Sequence, residues 1–183
     1  MNRLLLCAAL AMLPGLATAT DYTVQQGSML GFTGTFQGAS FNGAFARWNA
    51  TIRYDAAQPA DSKFDVSVQM ASVHTGDKDR DGALPGTDFF DVAKYPQAHF
   101  VSTGFRTQDG KVFADGTLSL RGATRPVTLA VTFHPAAGGH ATMDVDGTLK
   151  RLDFGVGGGD YADTSVIGAD VKVHAHLLLV AKP

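Results

Sequence analysis

The densest set of chemically capable side chains lies in one loop: Asp77, Asp79 and Asp81, then Gly82, with Leu84 at the eighth place and Asp88 at the twelfth. Carboxylates at the first, third and fifth places with glycine at the sixth suit a hard cation such as calcium. Three features depart from that pattern. The last ligand is Asp rather than a longer, bidentate Glu, Pro85 holds the ninth place, and the segment upstream reads as strand where helix is required. The favoured reading is a solvated Asp-rich loop, with a calcium-binding structural module over Asp77–Asp88 kept as the alternative. His174 and His176 share a strand face and offer two imidazoles to a metal. No third ligand follows from the sequence, so both are read as surface histidines. Arg80, His99 and Arg151 are left as polar groups able to orient a ligand's head, since a few such groups set orientation in an apolar pocket. Each has a plainer role beside it: a solvated charge for Arg80, a satisfied barrel histidine for His99, an ion pair with Asp153 or Asp170 for Arg151. Catalytic signatures are missing: there is no G-x-S-x-G elbow, no H-E-x-x-H and no phosphate loop. Asp144 and Asp146 share a strand face but read as the solvated outside. The chain is therefore expected not to be an enzyme, a hydrolase with a spatially assembled site being the least favoured alternative.

The elements that must position these groups read as antiparallel β. Phe64, Val66, Val68 and Met70 alternate with polar neighbours, as do Val127, Leu129, Val131 and Phe133, placing every second residue on one face. Leu118 and Leu120 run into a turn at Arg121-Gly122, so Val112 to Phe133 reads as a hairpin. Met143, Val145, Gly147 and Leu149 make another strand, and Val171 to Leu179 the last. Phe32, Phe36, Phe41 and Phe45 are spaced among Gly31, Gly34, Gly38 and Gly43, glycines expected to mark the bends that closing a barrel requires. One break interrupts the strands. Thr87 can cap a turn and Pro96 stops it, so a short helix is expected near residues 87–95, carrying Phe89 and Phe90 as a lid. About eight strands and one helix in a single domain imply a closed up-and-down, lipocalin-like barrel.

Composition bounds the function. All seventeen acidic residues are Asp, there are twenty-one Gly, and the formal net charge is −2. With no basic run, nucleic-acid binding is not expected. Residues 1–19 read as a cleaved leader: Arg3 is the positive start, Leu4–Leu13 the apolar core, Pro14-Gly15 the break and Ala17-Thr18-Ala19 the cleavage site. Cys7, the single cysteine, would leave with it. Residues 20–183 are then one exported domain, expected in the periplasm.

In order along the chain, Thr75-Gly76-Asp77 through Asp81 and Leu84, Asp88-Phe89-Phe90-Asp91, Tyr95-Pro96-Gln97-Ala98-His99-Phe100, Gly116 to Thr124, Arg151-Leu152-Asp153-Phe154-Gly155 and Asp163 to Gly168 resemble the YceI family of exported lipocalin-like barrels. Lys150 and Pro85-Gly86 depart from the family's usual pattern. The resemblance implies an elongated apolar cavity holding a polyisoprenoid, an isoprenoid quinone or another long-chain amphiphile, with no further cofactor required. The residues expected at the ligand are Phe32, Phe36, Met70, Arg80, Leu84, Phe89, Phe90, His99, Phe100, Leu120, Arg151 and Phe154. A non-catalytic carrier of a lipid-like small molecule is the expected function, with transient membrane contact and a homodimer left open.

Overall fold

The computed structural model describes residues 19–183; the expected leader up to Thr18 lies outside them. The strands are β1 (Thr20–Val24), β2 (Met29–Phe36), β3 (Ala39–Phe45), β4 (Trp48–Tyr54), β5 (Lys63–Gln69), β6 (Val73–His74), β7 (Gln97–Gln108), β8 (Lys111–Leu120), β9 (Ala123–Pro135), β10 (His140–Lys150) and β11 (Asp170–Ala181). Helix α1 spans Lys78–Ala83. Three hairpins turn on two residues that both have positive φ: Gln37-Gly38, Asp109-Gly110 and Arg121-Gly122. That is the backbone of a tight primed turn, whose twist matches the strands it joins.

The sheet closes because β11 pairs with both ends of the N-terminal segment, Leu179 with Val24 in β1 and Val173 with Phe32 in β2. β1 and β2 thus act as one strand bent near Gly27. β3 and β4 do the same around Ala46, and β5 and β6 are joined through a 3-10 turn at Met70–Ser72. With each pair taken as one bent strand, eight antiparallel strands form a closed up-and-down barrel. The hairpin from Val112 to Phe133 stands as expected, in β8 and β9.

Alternation fills the interior with two clusters. At the base, Ile52, Tyr54, Phe64, Phe105, Met143 and Leu179 pack together, with Tyr54–Phe133 and Phe64–Phe105 ring centroids 4.8 Å apart. At the other end, Phe32, Met70, Val73, Leu84, Phe90, Phe154 and Val156 pack beneath the loops.

The helix is not where the sequence placed it. Residues 87–95 form successive turns, broken by Asp91 at φ 48°. The helix forms earlier because Asp77 caps it, accepting from the amides of Asp79 at 3.1 Å and Arg80 at 3.0 Å. Asp is a stronger cap than Thr, and Pro85-Gly86 then ends the run. The same geometry undoes the calcium pattern. Asp77 is spent on the cap, and Asp81 Oδ1 accepts from the Thr75 amide and hydroxyl, both at 2.7 Å. Among the described residues no three His, Cys, Asp or Glu side chains converge on a point that could hold a metal.

Candidate functional site

Between the two clusters the barrel is hollow. The cavity measures about 250 Å³, and its wall is made almost wholly of carbon. It follows from the strand pattern: Val66, Leu118, Val127, Leu129, Val145 and Ala175 are successive inward positions too small to meet across the axis. An eight-stranded barrel is wide enough either to be filled by its side chains or to hold one small ligand. Here the base is filled and the middle is not.

Of the residues expected at the ligand, Phe32, Met70, Leu84, Phe89, Phe90, Phe100, Leu120, Arg151 and Phe154 line this space. Three others do not serve it as expected. Phe36 lies at the rim, 41% exposed and bridged to Ile167. Its strand end pairs with the 163–168 loop, which draws it off the cavity. His99 borders the cavity, but it alternates with inward Ala98 and Phe100, so its imidazole lies outside, 2.7 Å from Asp65 Oδ1. Arg80 stacks its guanidinium 4.4 Å over the Phe41 ring and pairs with Asp77 at 3.4 Å. It touches the wall from behind.

Arg151 is buried, yet neither Asp153 nor Asp170 holds it; Asp170 pairs with Lys150 at 3.8 Å. Its guanidinium donates Nε–H to Gly168 O at 3.0 Å, Nη1–H to Val156 O and Gly157 O, and Nη2–H to Tyr161 O at 2.8 Å and Ile167 O at 2.9 Å. Burial lowers its pKa from the ordinary arginine value, but a guanidinium stays charged in proteins. All five N–H donors are occupied, so Arg151 has none left for a ligand. It binds the 155–168 loop to the barrel instead.

That loop and the 84–95 turns meet above the cavity. Phe89 stacks on Tyr161 with centroids 5.1 Å apart, the Gly157 amide donates to Asp88 O at 2.8 Å, and Arg121 Nη2 donates to Thr87 O at 2.6 Å. Phe89 is half-buried and belongs to this cover. Phe90 is 8% exposed and belongs to the upper cluster, against Phe45 at 6.2 Å. Sequence reasoning left Phe41, Phe45 and Trp48 out of the site although all three line it; for the two Phe the interval of four among strand glycines was a signal. The arrangement can enclose a hydrocarbon and offers it no free hydrogen-bond donor from Arg151.

Comparison with known proteins gives a consistent result. The YceI-like domain matches residues 22–179. The chain is 38% identical over 155 residues to a UPF0312 protein of Pseudomonas savastanoi pv. phaseolicola, covering 79% of this chain and 80% of that one. It is 33% identical to Protein YceI of Escherichia coli O157:H7, covering 81% and 83%. Among solved structures, Burkholderia cenocepacia BcnA superposes with a TM-score of 0.80 at 31% identity, over 85% of this chain and 99% of that one. A domain from Saccharophagus degradans, described as polyisoprenoid binding, shares the fold with a TM-score of 0.63 at 17% identity, over 91% and 100%.

Proposed function

The chain belongs to the YceI family, and from that premise we propose that it is a non-catalytic periplasmic carrier that holds the tail of a long-chain isoprenoid or similar amphiphile in its barrel. The observation that carries the reading is the almost wholly apolar barrel cavity of about 250 Å³. The fold shared with a domain described as polyisoprenoid binding supports it, and the leader-like residues 1–19 support the compartment. Ligand pockets usually measure about 300–1,000 Å³, so this one, at about 250 Å³, suits a slender apolar occupant. Fifteen buried carbons at about 0.8 kcal/mol each give on the order of 12 kcal/mol. Association costs about 4–15 kcal/mol, so short tails bind marginally and long ones well.

The test is mass spectrometry of an organic extract from protein purified natively. The carrier reading expects a long-chain amphiphile, a prenyl lipid or quinone among the candidates, recovered unchanged at near one-to-one stoichiometry. Empty protein that also binds no added prenyl alcohol, quinone or fatty amphiphile overturns it. Release of a chemically altered product would indicate turnover instead.

A further inference from the structure

The wall of the cavity is not equally well made on all sides. β3 pairs with β2 along its length, but its other edge meets β6 only at Ala44↔His74 and Phe45↔Val73. After His74 the chain turns away into α1, leaving the Ala39–Gly43 edge without a strand beside it. Phe41 closes this stretch from within. Its ring lines the cavity, lies across Gly34, where a Cβ would come within 2.7 Å of it, and meets Phe32 edge-on at 6.3 Å. Arg80 covers the same ring from outside at 4.4 Å, steadied by Asp77 at 3.4 Å and Thr75 Oγ1 at 3.4 Å. α1 is six residues long and buries none of them.

The top of the barrel is closed differently. There, backbone hydrogen bonds from Gly157 to Asp88 and from Gly168 to Thr35, with the five carbonyl bonds of Arg151, tie the covering loop down. Opening that side breaks many bonds together. Opening between β3 and α1 breaks no strand ladder beyond the two-residue β3–β6 pairing. What spans the gap is the cation–π contact of Arg80 on Phe41, with the apolar packing of Phe41 and Phe45 on the upper cluster. Local openings follow the route with fewest buried contacts and backbone bonds.

We infer that a hydrocarbon chain passes into the cavity sideways, between β3 and α1, and that Arg80 is the positioning residue that latches this gap through the ring of Phe41. The inference rests on the carrier reading. A latch sets rates without setting affinity, because the bound chain touches Phe41 and not Arg80.

The test is stopped-flow fluorescence with N-phenyl-1-naphthylamine, an uncharged aromatic probe that brightens in apolar surroundings. Wild type is compared with Arg80→Ala, Arg80→Lys, Phe41→Leu and Arg106→Ala. Arg106 supplies the control because it makes a similar stack, 4.7 Å over Phe113, away from the gap. A cation–π contact is worth enough to speed opening about two- to thirty-fold when lost. Arg80→Ala is expected to raise association and dissociation rates by the same factor in that range with Kd unchanged. Phe41→Leu should also speed both, Arg80→Lys should fall between wild type and Arg80→Ala, and Arg106→Ala should change nothing. Melts of each ligand-free variant separate a faster gate from a loosened fold. Faster dissociation alone would make Arg80 a ligand contact and overturn the latch, and unchanged rates in both Arg80→Ala and Phe41→Leu would overturn the route. A wild type that binds no probe overturns the carrier reading itself.

Discussion

Arg151 places a permanent charge in the barrel wall without a carboxylate to answer it. Five carbonyl dipoles do that work, all of them from the 155–168 loop. Charged hydrogen bonds contribute about 1.5–3 kcal/mol each, and a buried acceptor left alone costs about 1–3 kcal/mol. Arg151→Met should therefore lower stability by at least about 3 kcal/mol even where water rescues some carbonyls. Urea unfolding of ligand-free protein measures this, and the loss should be the same in loaded protein. A variant that unfolds normally when empty but releases its ligand faster would make Arg151 a head-group reader. The sequence marked Arg151 as unusual without revealing its role, because carbonyl partners come from any residue type and leave no trace in composition. Phe89 and Phe90 teach the same lesson. Their identity was legible, but which ring faces the cover and which the core depends on the turn at Asp91, where a non-glycine residue adopts positive φ.

Short elements depend on single side chains, and α1 is the plainest case. The Thr75 hydroxyl above all, with its amide, holds the Asp81 carboxyl below its ordinary value of 3.8. A carboxyl with a lowered folded pKa contributes stability that is fully present above the unfolded value and is lost as pH falls through the folded one. The loop around α1 should therefore hold at neutral pH and loosen below about pH 4, within the range that carboxylates titrate. An NMR titration of Asp81 checks this: its midpoint should lie below 3.8 and move back towards it in Thr75→Val. An unchanged midpoint in that variant would show that the bond does not matter in solution. Turn chemistry was the most legible part of the architecture. Arg121-Gly122 was identified from the flanking Leu118 and Leu120, while Asp109-Gly110 carried an equally good signal. Glycines inside the strands were read as bends, and several have another purpose. Gly34 and Gly116 lie flat beneath the rings of Phe41 and Phe100, where a Cβ would come within 2.7 and 2.5 Å of ring carbon. Period-two alternation cannot distinguish a bend from a seat for an aromatic ring.

Over the whole molecule, the barrel was legible from alternation, whereas its hollow was expected only through the family resemblance. Alternation places Val66, Val127, Val145 and Ala175 inside, but whether they meet depends on the barrel's width, fixed by strand pairings far apart in sequence. Filling the hollow is the direct test. Ala175→Phe adds a ring to a cavity of about 250 Å³ that Ala175 lines, burying further apolar surface. It should weaken probe binding at least about tenfold, equivalent to about 1.4 kcal/mol, while the melting temperature holds or rises. Undiminished binding would place the ligand elsewhere. Closure also governs the order of events in time. The contacts that seal the ring join Tyr22 to Ala181 and Val24 to Leu179, almost the longest loops this chain can make. Such distant pairings slow folding to the range of milliseconds to seconds. A growing chain has turns and hairpins early, but no inside at all until β11 has been delivered. The container therefore comes into being in one late step, when β11 completes the ring.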